Sequence, residues 1–182
     1  MRSETRRATD VAPPSPPPLA PDPDGIAELF HAHRLGLVRL AFLLLGDQET
    51  AEDVVQDAFA AVHRRWDRLA DHGRVLPYLR TCVVNGCRMV HRRRAIAGRL
   101  IGDRVEPFWS AEAAALLGET RREVFVAVRA LPRRQREALV LRYYLDLPEG
   151  EIAEVMGVSR GTVKSTVSRA LASLATKLEA AR

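Results

Sequence analysis

Three groups of side chains are spaced to do chemistry, and none of them is a catalytic set. The first is acidic. Glu52, Asp53, Gln56 and Asp57 share the polar side of a helical pattern whose other side is apolar. Paired carboxylates do acid–base work or hold a metal, but here no His or third ligand joins them at helical spacing. A solvated helix face and a docking surface for a basic partner both fit. The second group is basic. Arg88, Arg92, Arg93, Arg94, Arg99 and Arg104 face one acid, Asp103, in the same stretch. Such cations neutralise phosphates and release counterions. Just before them lie Tyr78, Arg80, Thr81 and Asn85, a ring and amide able to stack on or hydrogen-bond an unpaired base. The third group is Arg160, Lys164, Ser165, Ser168 and Arg169, donors for phosphates and base edges. No Ser/His/Asp, Cys/His, H-E-x-x-H or phosphate-loop pattern is present, so no enzyme activity is expected.

Helices must position all three. The acidic face backs onto Ala51, Val54, Val55, Ala58, Phe59, Val62 and Trp66, a regular helical stripe. It follows a helix marked by Ile26, Leu29, Phe30, His33, Leu37, Leu40, Ala41 and Leu44. Gly46 ends that helix and Asp47 caps the next. Residues 67–76 read as a loop. Tyr78, Leu79, Cys82, Val83, Gly86 and Val90 then make the amphipathic helix that ends in the arginines. Val124, Phe125, Val128 and Leu131 open a second helical block near Glu119. Pro132 suits the first turn of the next helix, which carries Leu139, Val140 and Tyr143.

The last stretch has the form of a helix-turn-helix. Ile152, Ala153 and Met156 give a short helix its apolar face. Gly157 supplies a turn with positive φ, Val158 fills the corner, and Ser159 caps the second helix near Gly161 or Thr162. Val163, Val167, Leu171, Leu174 and Leu178 form one face of that helix, opposite the third polar group.

The chain has 182 residues, 47% apolar and 28% charged, with a net charge of +5 and a pI near 9.8. Aromatics at 5% and the absence of strand signals favour an all-α fold: two small helical domains joined by a flexible linker. The expected layout is a Pro-rich disordered tail over 1–23, a helical domain over 24–94, a linker over 95–118 and the helix-turn-helix domain over 119–182. Cys82 and Cys87 lack a second ligand pair, so no metal or other cofactor is expected. No apolar run follows the arginines of the tail, and the run "LAFLLLG" is too short to span a bilayer, so a cytoplasmic protein is expected.

Three phrases carry a resemblance. "AEDVVQDAFAAVHRRW" resembles region 2.2 of the extracytoplasmic-function (ECF) sigma factors of the sigma-70 superfamily. "YLRTCVVNGCRMVHRRR" resembles their regions 2.3–2.4, and "LPRRQREALVLRYYLDLPEGEIAEVMGVSRGTVKSTVSRAL" their region 4. "AFLLLGD" and "VVN" resemble the actinobacterial SigE-type subgroup most. The resemblance implies a factor that binds core RNA polymerase, recognises −35 and −10 promoter elements and promotes DNA melting. It implies that Asp53, Gln56 and Asp57 dock on the β′ clamp helices, with the β flap a second polymerase contact. It assigns the −10 element to the loop around Asp67–Pro77 and to Tyr78, Arg80, Asn85, Arg92, Arg93 and Arg94. Family members often carry Trp where Tyr78 stands. The −35 element falls to Arg160, Thr162, Lys164, Ser165 and Ser168, with Arg133 and Arg134 near flanking phosphates. The linker would thread the polymerase cleft, and an anti-sigma factor is a further partner of many relatives. A stand-alone helix-turn-helix regulator, a dimer on a palindrome, is the alternative reading. An enzyme with an appended DNA-binding domain would need a pocket of convergent titratable groups, which the sequence lacks.

Overall fold

The computed structural model describes residues 23–66, 75–101 and 119–180, and every regular element among them is helical. The helices are α1 (Pro23–Leu45), α2 (Gln48–His63), α3 (Val75–Ile101), α4 (Glu119–Arg129), α5 (Arg133–Tyr143), α6 (Glu149–Met156) and α7 (Arg160–Glu179). The expected 1–23 tail lies outside the described residues except for Pro23, which opens α1, a position where a missing N–H costs nothing.

In the first block α1, α2 and α3 pack against one another. Gly46, at φ 77°, ends α1. Asp47 caps α2 by accepting from the Thr50 backbone N–H at 3.1 Å and the Thr50 hydroxyl at 2.9 Å. All seven residues of the expected α2 stripe, from Ala51 to Trp66, are buried. The phenyl rings of Phe30 and Phe59 meet edge to face at 4.9 Å. Of the expected 67–76 loop, residues 67–74 are not described, and Val75 and Leu76 already belong to α3. Val75 is buried, which fixes the first turn.

Helix α3 also continues to Ile101, through seven residues read from sequence as linker. The chain "AIAGRLI" holds good helix formers around a single Gly98. One glycine costs a helix interior only about 1 kcal/mol, too little to stop it. The rest of the expected linker, 102–118, lies outside the described residues.

In the second block α7 packs on α4, α5 and α6. Gly157 caps α6 in the left-handed region at φ 65°. Ser159 caps α7 by accepting from the Thr162 N–H at 3.2 Å. The buried stripe of α7 is Val163, Thr166 and Ala170, flanked by half-buried Val167 and Leu174. Leu171 stands one step off it and is 41% exposed, as are Val124 on α4 (41%) and Tyr143 on α5 (62%). Sequence periodicity had placed all three inside.

The two blocks meet. Their buried residues form one continuous cluster, α1 touches α4 and α5, and α3 touches α6. Phe42 of α1 stacks on Phe125 of α4 at 5.2 Å.

Candidate nucleic-acid interface

The helix-turn-helix presents a finished polar surface. Arg160, Gly161, Thr162, Lys164, Ser165, Ser168 and Arg169 are all exposed. Its hydroxyls are held locally: Ser159 and Thr162 pair at 2.9 Å, and Ser165 donates to the Thr162 carbonyl at 3.1 Å. Arg169 donates to the Ser165 carbonyl at 3.1 Å. Arg160 and Lys164 thus stand at the capped N-terminal end of α7, the part of a recognition helix that meets base edges. Arg133 is exposed and lies by His91 and Arg136, and Arg134 donates to the Met156 carbonyl at 3.2 Å, which ties α5 to the end of α6.

The α3 surface is different. Arg92 and Arg93 are exposed. Tyr78 is half-buried, and its hydroxyl accepts from Arg65 at 2.8 Å. Arg94 is bound to Asp47 at 3.3 Å and Thr50 at 3.0 Å, so it buttresses the α2 cap. Burial pushes the Asp47 carboxyl up, but the Thr50 bonds and the Arg94 charge outweigh it and hold it below its usual range. Arg80 pairs with Glu151 of α6 at 3.8 Å. Asn85 is exposed, and its carbonyl oxygen accepts from Arg88 at 2.8 Å. Arg88 itself binds Glu137 of α5 through both carboxylate oxygens, Nε to Oε2 at 3.2 Å and Nη2 to Oε1. The Glu137 side chain is 3% exposed.

Beside that pair the C-terminal end of α1 collects cations. The Leu44 carbonyl accepts from Arg129 at 2.5 Å, Arg136 at 2.8 Å and His91 Nε2 at 3.2 Å. A helix C-terminus carries unsatisfied carbonyls and partial negative charge, which explains the attraction. The crowding has consequences. Burial and the neighbouring Arg136 and Arg94 bring Arg129 down to about 10. Burial, helped by Arg136, Arg129 and Arg133, brings His91 down to about 4 against the opposing bond to Leu44. Burial and Glu137 raise the Cys87 thiol to about 12.

Asp53, Gln56 and Asp57 are exposed together on α2. Glu52 is drawn away from them: it lies 4.0 Å from Arg34 and accepts from Gln48 at 2.7 Å. No metal-ligating cluster of three His, Cys, Asp or Glu occurs among the described residues, and none of their helices is long and apolar enough to cross a membrane.

Two features escaped sequence reading. One is the pair of carboxylates, Glu137 and Glu151, that receive the α3 arginines; their partners lie 49 and 71 positions away, so no local pattern announces them. The other is an apolar groove of about 440 Å³ between α4, α5 and α7, rimmed by Val124, Tyr143, Tyr144 and Leu171. A helical stripe looks the same whether it packs inside or stays open.

The profile of Sigma-70 region 2 matches residues 29–96, and that of Sigma-70, region 4 matches residues 121–174. An RNA polymerase sigma-E factor of Streptomyces antibioticus is 32% identical over 156 residues, covering 84% of this chain and 83% of that protein. The ECF RNA polymerase sigma factor SigM of Mycobacterium tuberculosis is 32% identical over 157 residues, covering 86% and 79%. Among solved structures, the sigma factor RpoE of Bartonella quintana, crystallised with the anti-sigma factor NepR, matches with a TM-score of 0.73 at 24% identity, over 86% of this chain and 98% of that one. CnrH, solved with the cytosolic domain of CnrY, matches with a TM-score of 0.65 at 25% identity, over 85% and 88%. Both halves of a sigma-70 factor are thus present in order on a fold shared with known sigma factors, and the chain belongs to the extracytoplasmic-function group of the sigma-70 family.

Proposed function

We propose that this chain joins core RNA polymerase, brings it to a set of promoters and helps open them. The observation that carries the reading is the pairing of two separate surfaces on one chain. Asp53, Gln56 and Asp57 form an exposed acidic face on α2, and Arg160, Lys164, Ser165 and Ser168 form an exposed donor face on α7. The first docks on the β′ clamp helices; the second, with Thr162, reads the −35 element. Tyr78, Arg80, Asn85, Arg92 and Arg93 handle the −10 element, where a ring and amides hold bases exposed by strand opening. Arg94 contributes by fixing α2 against α3. The protein works in the cytoplasm beside the polymerase, which supplies the catalysis. The apolar groove rimmed by Val124, Tyr143 and Leu171 suits the β flap, and an anti-sigma factor is a rival occupant, since RpoE was solved with one. A stand-alone dimeric regulator would leave the α2 acidic face without a role.

Run-off transcription with purified core polymerase tests the proposal. Promoter-specific transcripts are expected only when the chain is added; sequence-specific DNA binding by the chain alone, without such transcripts, would refute it. Reversing Asp53 and Asp57 to Lys sharpens the test. Affinity for core should fall by about tenfold or more, at least 1.4 kcal/mol, with the melting temperature unchanged. Undiminished core binding would remove the docking assignment.

A further inference from the structure

We propose that Arg65 is a positioning residue for promoter opening: it fixes the Tyr78 ring by its hydroxyl, and the fixed ring is the platform for an unpaired base. The inference rests on the reading of Tyr78 as a base-contacting residue and names what holds that ring in place.

Both ends of the contact are anchored. Arg65 follows the last turn of α2, where its backbone N–H donates to the Val62 carbonyl at 2.9 Å, and the next residue, Trp66, is buried. Tyr78 stands in the first turn of α3 between Val75 and Leu79, both buried. The Thr81 hydroxyl donates to the Pro77 carbonyl at 3.0 Å beside it. Arg65 Nη1 then donates to the Tyr78 hydroxyl oxygen at 2.8 Å, across 13 positions of chain. The hydroxyl has a second neighbour. Burial raises the Cys82 thiol, while the Tyr78 hydroxyl and the Arg65 charge pull it the other way, so the three groups meet at one point. A phenol has one proton to donate and lone pairs to accept with. It accepts from Arg65 and donates to the Cys82 sulfur.

The tether matters because the ring is only half-buried. Side chains open to solvent change rotamer within nanoseconds, and a base would then meet the ring in a stacking pose only part of the time. Holding a binding group in its productive rotamer is the work of the residues that support it. Of the aromatic side chains, only tyrosine offers an oxygen to accept this bond; phenylalanine has none, and the tryptophan N–H only donates. A cation at the end of α2 also complements the helix dipole. That role is met within α2 and does not require Arg65 to reach α3, where it places a donor on the one ring proposed to meet a base.

The test uses holoenzyme assembled from the full-length chain and core polymerase. The DNA is a promoter that yields a run-off transcript, with 2-aminopurine in its −10 element reporting unpairing and stacking. Arg65→Ala and Tyr78→Phe are each expected to slow open-complex formation by about five- to tenfold, the effect of one lost hydrogen bond. The double variant should lose no more than either single one, since both remove the same bond. Arg65→Lys, which keeps a donor, should recover part of the rate. Affinity for core and for a fragment carrying only the −35 element should stay within about twofold, which separates positioning from a loss of fold. An unchanged opening rate in Arg65→Ala overturns the proposal. Additive losses overturn it as well, because a further loss from Arg65→Ala in the Tyr78→Phe background means that the guanidinium meets DNA directly. Failure of the underlying reading looks different: Tyr78→Ala would then open the promoter at the wild-type rate. If Tyr78→Ala is slow and Arg65→Ala is not, the ring works without the tether and the positioning role alone is wrong.

Discussion

On α7, Arg160, Lys164 and Ser168 stand in solvent, and the neighbouring hydroxyls bond only within their own turns. On α3, Arg80, Arg88 and Arg94 are each held by a carboxylate from another element. Both helices carry cations at helical spacing, and both are proposed to meet promoter DNA. They differ in what those cations already do. The α7 face is complete within one block, because its turn, cap and buried stripe are all local. The α3 face is occupied at Arg80 and Arg88 by residues of the other block, and at Arg94 by Asp47 of its own. A count of arginines locates a binding surface; only the tertiary partners say whether it is free.

The largest effect that separates the two faces is on stability. Arg88→Ala strands the Glu137 carboxylate in a buried site, which costs about 3–5 kcal/mol. Part of that cost is relieved if the blocks part. Arg160→Ala removes an exposed side chain and should change stability by less than about 0.5 kcal/mol. Chemical denaturation of both variants checks the contrast. Function should rank the other way for upstream recognition: Arg160→Ala weakens −35 binding by about 1–3 kcal/mol if it reaches a base edge, while core binding is retained. Equal stability losses from the two substitutions would erase the distinction between a committed and a free cation.

A smaller effect comes from Gly46 and Gly157, the two glycines with positive φ among the described residues. Gly157 turns α6 into α7 at φ 65° with open space where a side chain would sit. Gly46 turns α1 into α2 at φ 77°, and a Cβ there would lie 2.6 Å from the Arg129 guanidinium. Alanine at either site meets the left-handed penalty of about 1–2 kcal/mol. At Gly46 it must also displace Arg129 from Leu44. Gly46→Ala should therefore destabilise more than Gly157→Ala and should lengthen the distance between blocks. If both cost the same, Arg129 contributes nothing to closure.

The same contrast explains what the sequence made legible. The α2 stripe, the Asp47 cap, the Gly157 turn and the Ser159 cap are all short-range features, set by periodicity and by side chains bonding three residues away. Each was readable and each is present. Leu171, Tyr143 and Val124 fit the same periodicity yet lie open, because burial depends on what the fold brings opposite them. The exposed site residues of α2 and α7 were legible as faces. The commitment of Arg80, Arg88 and Arg94 was not, since each partner is set by packing between elements distant in the chain. Helix α3 overran its expected end because no strong breaker stands between Arg94 and Ile101.

Acid separates the halves of the molecule in a third way. All five histidines precede residue 92, so the second block contains none. His91 points into the seam, where burial, followed by Arg136, Arg129 and Arg133, depresses its pKa to about 4 despite the bond to Leu44. Once the blocks separate or unfold it returns toward about 6.5. A depressed folded pKa means that the released state takes up the proton first, so closure is fully favoured above about pH 6.5 and is lost progressively as the pH falls toward 4. The carboxylate of Asp47, held below its usual range, stays ionised through this window and does not contribute. The distance between a fluorophore on α2 and one on α7 should lengthen between about pH 6.5 and 4.5, with the helix content of the second block unchanged. His91→Gln, which cannot titrate, should flatten that response. A wild-type distance that stays constant across the window would mean that the seam accommodates the extra charge, and that the cations around Leu44 do not set the balance between closed and open.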